Sequence, residues 1–321
     1  MQRLDSLRTS AKLLALWLSF SLALLINRGP IFFPDTTAYF RIADAAVVSL
    51  GAKPSEWSDR LPNTWIATDP THVGDKTRSA SASARPTPLA GRSIYYGAAL
   101  LILGPALAAL LQSLVAAGAV LVAANRLSPN MPFITLPFAI GLSSAPIFAA
   151  LLMPDLLAAL AVLACAMILP DWHKMGRLEK VFWFCLLVAG VLSHSATLLI
   201  VTAVLIMSML WRTGRGQKAP WPLIIALAGG LLGEICFALA VSHATGSQPL
   251  RPPFLSARLV ADGPGRIFLQ RDCARKRRFH QCDFYRRLPA NSDAILWGQD
   301  GAGFISMPTA VQRAWSAEDT K

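Results

Sequence analysis

The chain has 321 residues, of which 54% are hydrophobic and 15% charged, with a formal net charge of +12. A soluble protein of this length carries roughly a quarter of its residues charged, and here the charges fall in blocks between long apolar runs, so the composition argues against a water-soluble domain. The basic residues form no single stripe interleaved with aromatics, which argues against a nucleic-acid partner; anionic lipid phosphates account for the charge equally well.

The first predicted helix, over about 11–31, contains the apolar stretch Leu13–Ile26, which Arg3, Arg8 and Lys12 precede. Asn27-Arg28-Gly29-Pro30 closes it and offers no small-residue cleavage site, so it reads as an uncleaved membrane helix with a cytoplasmic N-terminus. Residues 32–93 are too polar for the bilayer. They open with an amphipathic stretch, Thr36–Leu50, which places Tyr39, Ile42, Ala46 and Val47 at helical spacing and is expected to lie in the membrane interface. From Lys53 to Arg92 the composition is Pro, Ser, Thr and mixed charge, low-complexity around 79–84, and mobility is expected there.

Further apolar runs predict helices over about 94–124, 132–150, 153–170 and 221–242, each with the roughly 20 residues a crossing needs. The run 181–211 raises a conflict. Basic residues flank it on both sides, Lys174, Arg177 and Lys180 before it and Arg212, Arg215 and Lys218 after it. Arg126 marks the same side between the second and third helices. The positive-inside rule puts all of these in the cytoplasm. A single straight helix of this length, about 46 Å, would separate the two flanks. Two short helices turning back near Ser193-His194-Ser195 would not. The expected architecture is therefore all-α and polytopic, with about seven membrane helices, some of them short. Its parts are an N-terminus and first helix (1–31), an outer loop (32–93), a helical bundle (94–242) and a basic C-terminal segment (243–321).

In that last segment bases outnumber acids by twelve to seven. Arg251–Arg258 and Asp262–Arg266 read as ordered because Pro and Gly punctuate an amphipathic pattern, and the five bases between Arg271 and Arg278 suit anionic lipid. Cys273 and Cys282 stand nine apart and are a disulfide candidate, which requires an oxidising compartment and so agrees with an outer location. Two cysteines without paired Cys or His spacing make only a weak zinc signal.

Several polar residues at membrane depth carry candidate chemistry. Asp35, in Phe33-Pro34-Asp35, stands where the first helix leaves the membrane. Partial desolvation suits it to act as a base, while the alternative is an N-cap for a helix starting at Thr36. Asp155 in Met153-Pro154-Asp155-Leu156 is either a functional acid or a first-turn residue favoured by the helix dipole. His194 is a phosphate or hydroxyl ligand if the run turns back there, and otherwise a packing residue. Glu234, near the centre of the last helix, is an expensive ionisable group and open to functional and packing readings alike. Arg92, at the step before the second helix, matches the height of a lipid phosphate and equally suits snorkelling. P-loop, dinucleotide-binding, zinc-protease and Gly-x-Ser-x-Gly patterns are absent from the sequence.

One membrane helix, an Asp at its outer end, an interfacial helix, a large first loop and Gly91-Arg92-Ser-Ile-Tyr95-Tyr96 before the second helix together resemble the GT-C-fold membrane glycosyltransferases that use polyprenyl-phosphate sugars. The resemblance covers roughly 10–245 and rests on layout and short motifs. It implies an inner-membrane enzyme moving a sugar from a lipid-linked donor to an envelope glycan or lipid acceptor on the outer face. Asp35 matches the family's first-loop acid, and Met153-Pro154-Asp155-Leu156 resembles its second acidic element. Asp35, Asp155 and His194 are then the candidate catalytic residues, and Arg92, Tyr39, Tyr95 and Glu234 the candidate substrate-binding ones. The first loop lacks the paired Asp-x-Asp or Asp-Glu of many members, so no cofactor is expected, although a divalent metal stays open. Two other classes compete: a transporter or flippase subunit using Glu234 and His194 as a pathway, and a non-catalytic scaffold with a lipid-binding tail.

Overall fold

The computed structural model describes residues 2–53, 55, 93–132, 134–213, 219–246, 248–274, 280–283, 285–297, 304 and 309–319. Among these the chain is all-helical, with no strand, and Ile31 and Leu151 form an isolated parallel bridge. It divides into two compact units, one of 1–44, 54–61 and 91–237 and the other of 45–53, 62–90 and 238–321, so that the last turns of two helices belong to the second. The low-complexity stretch around 79–84 and Arg92 lie outside the described residues.

In the first unit, α1 (Gln2–Phe20) and α2 (Leu22–Ile26) form the N-terminal rod. The chain then turns through Arg28, at a positive φ of 55°, into α3 (Pro34–Ser49), the expected amphipathic helix. The predicted helix over 94–124 is divided. Gly104, with φ 73°, adopts a left-handed conformation between α4 (Ser93–Leu103) and α5 (Pro105–Leu127), and Pro105 starts the second piece. The run 132–150 divides too, into α6 (Thr135–Gly141) and α7 (Ala145–Ala150). Here the Ser143 hydroxyl donates to the Ile140 carbonyl (2.8 Å) and accepts from the Ala145 N–H (3.1 Å), so a side chain replaces the helical ladder.

Next come α8 (Asp155–Asp171), a 3-10 turn (Trp172–Lys174), α9 (Arg177–Ser193), α10 (Ser195–Thr213) and α11 (Trp221–Thr245). The run 181–211 is thus two helices, broken at His194, whose backbone is extended (φ −143°, ψ 130°). They turn back on each other. Gly190 on α9 lies against Leu157 and Ala161 near the start of α8, whereas Arg212 on α10 donates to the Leu169 carbonyl near the end of α8. Lys174, Arg177 and Arg212 therefore share one end of the bundle, and His194 stands at the other with Asp155; Arg215 and Lys218 lie outside the described residues.

Among the described residues four stretches are long and apolar enough to cross a membrane: Pro105–Leu127, Asp155–Lys174, Ser195–Thr213 and Trp221–Thr245. Lipid tails are as apolar as leucine, so such helices associate through close packing rather than water exclusion. The core reflects this. Ala116, Ala117 and Ala119 on α5, and Ala161 and Ala164 on α8, are fully buried around Trp183. A Cβ at Gly190 would stand 2.5 Å from that of Ala161 and 2.8 Å from the Leu157 carbonyl oxygen, so α8 and α9 meet nearly backbone to backbone.

The second unit has a core of a different kind. α12 (Phe254–Ala261), α13 (Pro264–Cys273), α14 (Ser292–Trp297) and α15 (Thr309–Asp319) enclose Leu269, Ile295, Phe304 and Trp315. The Trp315 indole donates to Ser256 Oγ (2.9 Å) and meets the Phe304 ring edge-on at 5.8 Å. Cys273 and Cys282 are joined as a disulfide.

Candidate functional site

Two short segments of like sequence meet at the end of the bundle opposite the basic flanks. Ile31-Phe32-Phe33-Pro34-Asp35 and Leu151-Leu152-Met153-Pro154-Asp155 both place Pro and Asp three and four residues after an aliphatic residue. Those two aliphatic residues form the parallel bridge: the Ile31 N–H donates to the Ala150 carbonyl (2.9 Å) and the Leu152 N–H to the Ile31 carbonyl (3.3 Å). From this common register each segment enters a helix, α3 at Pro34 and α8 at Asp155, so each carboxylate falls in a first turn, where the helix dipole favours negative charge.

The reading of Asp35 as N-cap is replaced by a different arrangement. α3 begins one residue before it, and Thr36 ties the helix start. The Thr36 hydroxyl accepts from the Phe33 N–H (3.1 Å) and donates to the Leu152 carbonyl (3.0 Å) in a fully buried position. Asp35 and Asp155 themselves are exposed. Both act on one phenol: burial first, then the charges of Asp35 and Asp155, push the Tyr39 hydroxyl well above its ordinary pKa. Tyr39 is therefore a neutral hydrogen-bonding group throughout the physiological range.

Behind Tyr39 the site is braced by a buried polar chain. The Tyr39 and Tyr96 rings meet edge-on at 5.7 Å, and the Tyr96 hydroxyl donates to Gln112 Oε1 (2.9 Å). The Gln112 amide donates to the Leu151 carbonyl (2.8 Å), closing the circuit on the bridged segment itself. Gly97 permits the approach of α4 to α3, since a Cβ there would meet the Tyr39 carbonyl oxygen. Thr36, Tyr96 and Gln112 were not singled out in the sequence. A glutamine in the middle of an apolar helix was the available signal, because a buried amide requires partners.

The remaining candidates lie on neighbouring helices. The Tyr95 hydroxyl donates to the Gly233 carbonyl, and Glu234 is within electrostatic range of Tyr95. Gly233 also packs against Leu192, two residues before the break at His194. His194 has a structural task, because its Nδ1 accepts from the Ala196 N–H (3.1 Å) and so caps α10. That assigns the tautomer: the hydrogen of a neutral ring belongs on Nε2. Among the described residues no group of three or more His, Cys, Asp or Glu side chains is arranged to hold a metal.

The opposite end is built from charge pairs. Arg126 on α5 reaches both carboxylate oxygens of Glu179 at 3.0 Å and Asp171 at 3.5 Å, and Lys174 binds Asp171 at 3.0 Å. Beside this knot lies a cavity of about 410 Å³. Comparisons with family models, with curated proteins and with solved structures gave no match.

Proposed function

We propose that this protein is an integral-membrane glycosyltransferase that moves a sugar from a polyprenyl-phosphate donor to an acceptor on the outer face of the inner membrane. The observation carrying this reading is the Ile31–Leu151 bridge, which sets Asp35 and Asp155 in matched first turns within electrostatic range of Tyr39. Two acids at one helical end, one as base and one positioning a hydroxyl, suit proton abstraction from an acceptor alcohol.

In this reading Asp35 takes the acceptor hydroxyl proton and the acceptor oxygen attacks the anomeric carbon. The bond from that carbon to the phosphate oxygen breaks, and its electron pair leaves with the polyprenyl phosphate. Asp155 and the Nε2 side of His194 orient the reactants, Tyr39 and Tyr95 line the approach, and Arg92 stabilises the departing phosphate. No metal is required for these steps.

Alternating passes of α1, α5, α6 with α7, α8, α9, α10 and α11 make seven crossings, with α3 in the interface. The basic flanks face the cytoplasm, and the loop 32–93 and the tail lie outside. The Cys273–Cys282 disulfide supports that placement of the tail.

The test is Asp35→Asn in membranes supplied with radiolabelled polyprenyl-phosphate sugars. Transfer is expected to fall by roughly 10²–10⁴-fold, the usual contribution of a general base, with membrane insertion intact. Undiminished transfer would remove Asp35 from the mechanism. A proton-coupled transporter reading draws on one observation, the closeness of Glu234 to Tyr95 within the bundle. It would displace the enzyme reading if Glu234→Gln abolished function while Asp35→Asn preserved it.

A further inference from the structure

The cavity at the basic end, about 410 Å³, lies within the first unit between the end of α8, the end of α10 and the start of α11. Its wall includes Pro170, Trp172, His173, Arg212, Pro220 and Trp221. That volume is within the range of small-ligand sites. We propose that it binds the phosphodiester headgroup of an anionic phospholipid. The proposal is independent of the chemistry assigned to the carboxylate end.

Three features of the wall point to this ligand class. The first is charge. Among the described residues lining the cavity there is no Asp or Glu, while Arg212 is there. An anion entering the cavity thus meets a guanidinium, whose planar array of donors matches phosphate.

The second feature is positional rigidity. Arg212 donates to the Leu169 carbonyl in the last turn of α8, which holds its head against the wall. Pro170, Pro220 and Pro222 fix the surrounding backbone, and the Trp172 and Trp221 rings meet edge-on at 5.2 Å. The third is depth. Trp221 is 46% exposed and Trp211 57% exposed. They stand at the ends of helices long and apolar enough to cross a bilayer, and tryptophan gathers at headgroup level. A cationic recess between such helix ends has its opening where lipid phosphates lie.

The experiment uses the full chain purified in detergent. Binding is read by thermal shift and by native mass spectrometry with short-chain phosphatidylglycerol, matched phosphatidylcholine and inorganic phosphate as separate probes. Phosphatidylglycerol is expected to stabilise the protein saturably with one molecule bound. Arg212→Gln should weaken that binding about tenfold, equivalent to roughly 1.4 kcal/mol. Ala219→Trp fills the recess while keeping every charge, and it should abolish the bound species. If Arg212→Gln fails to fold, Ala219→Trp alone decides. Unchanged binding in the folded variants would overturn the proposal. Equal affinity for phosphatidylcholine would overturn the reading of charge, and equal affinity for inorganic phosphate would overturn the lipid assignment.

Discussion

The two ends of the helical bundle are fastened by different means. At one, the Ile31–Leu151 bridge, Thr36 and Gln112 use neutral hydrogen bonds, mostly to backbone carbonyls, and two carboxylates are left exposed in helix first turns. At the other, Arg126, Lys174, Asp171 and Glu179 neutralise one another. The contrast separates two uses of charge. A charge paired with its opposite gives local stability, whereas Asp35 and Asp155 add their charge to the burial that already raises the Tyr39 hydroxyl.

The largest effect that would sharpen this contrast is on activity. Asp155→Asn should reduce glycosyl transfer by roughly hundredfold if it positions a reactant. Lys174→Gln at the opposite end should leave transfer unchanged. Equal losses in a membrane transfer assay would erase the distinction between the ends.

Stability comes next. Gln112→Leu removes the partner of the buried Tyr96 hydroxyl and the donor to the Leu151 carbonyl. Leaving buried polar groups unsatisfied costs about 1–3 kcal/mol, and thermal unfolding in detergent would register it. The smallest effect is expected at the basic end. Arg126→Gln breaks a network whose members are 21–32% exposed on the Arg126, Glu179 and Asp171 side chains. Screening by solvent limits its worth to about 1 kcal/mol. The difference from wild type should shrink further in high salt. A larger and salt-insensitive loss would mean that this knot is shielded as well as the carboxylate end.

Much of the helical plan was legible because lipid imposes a simple rule: a crossing helix is a long apolar run. α8 and α11 begin and end close to where hydropathy predicts, and the break at His194 followed from basic residues on both flanks. The breaks at Gly104 and Ser143 were not drawn, although a Gly-Pro pair and a Ser-Ser pair stand there. Hydropathy averages over such residues, while backbone geometry does not. In the tail, the nine-residue spacing of Cys273 and Cys282 anticipated a disulfide, but the Trp315–Phe304 core beneath it is assembled from residues too far apart for any local pattern.

For the candidate site, the sequence by itself determined which ionisable residues border or interrupt the apolar runs: Asp35, Asp155, His194 and Glu234 are conspicuous because such groups are costly in an apolar segment. Only the tertiary structure decided their company. The parallel bridge that matches Phe33-Pro34-Asp35 with Met153-Pro154-Asp155 joins segments far apart in the chain, and the energy of that pairing resides in backbone groups that every residue shares. Backbone pairing leaves no signature in side-chain order, so two separate carboxylates in the sequence become one arrangement only in the fold.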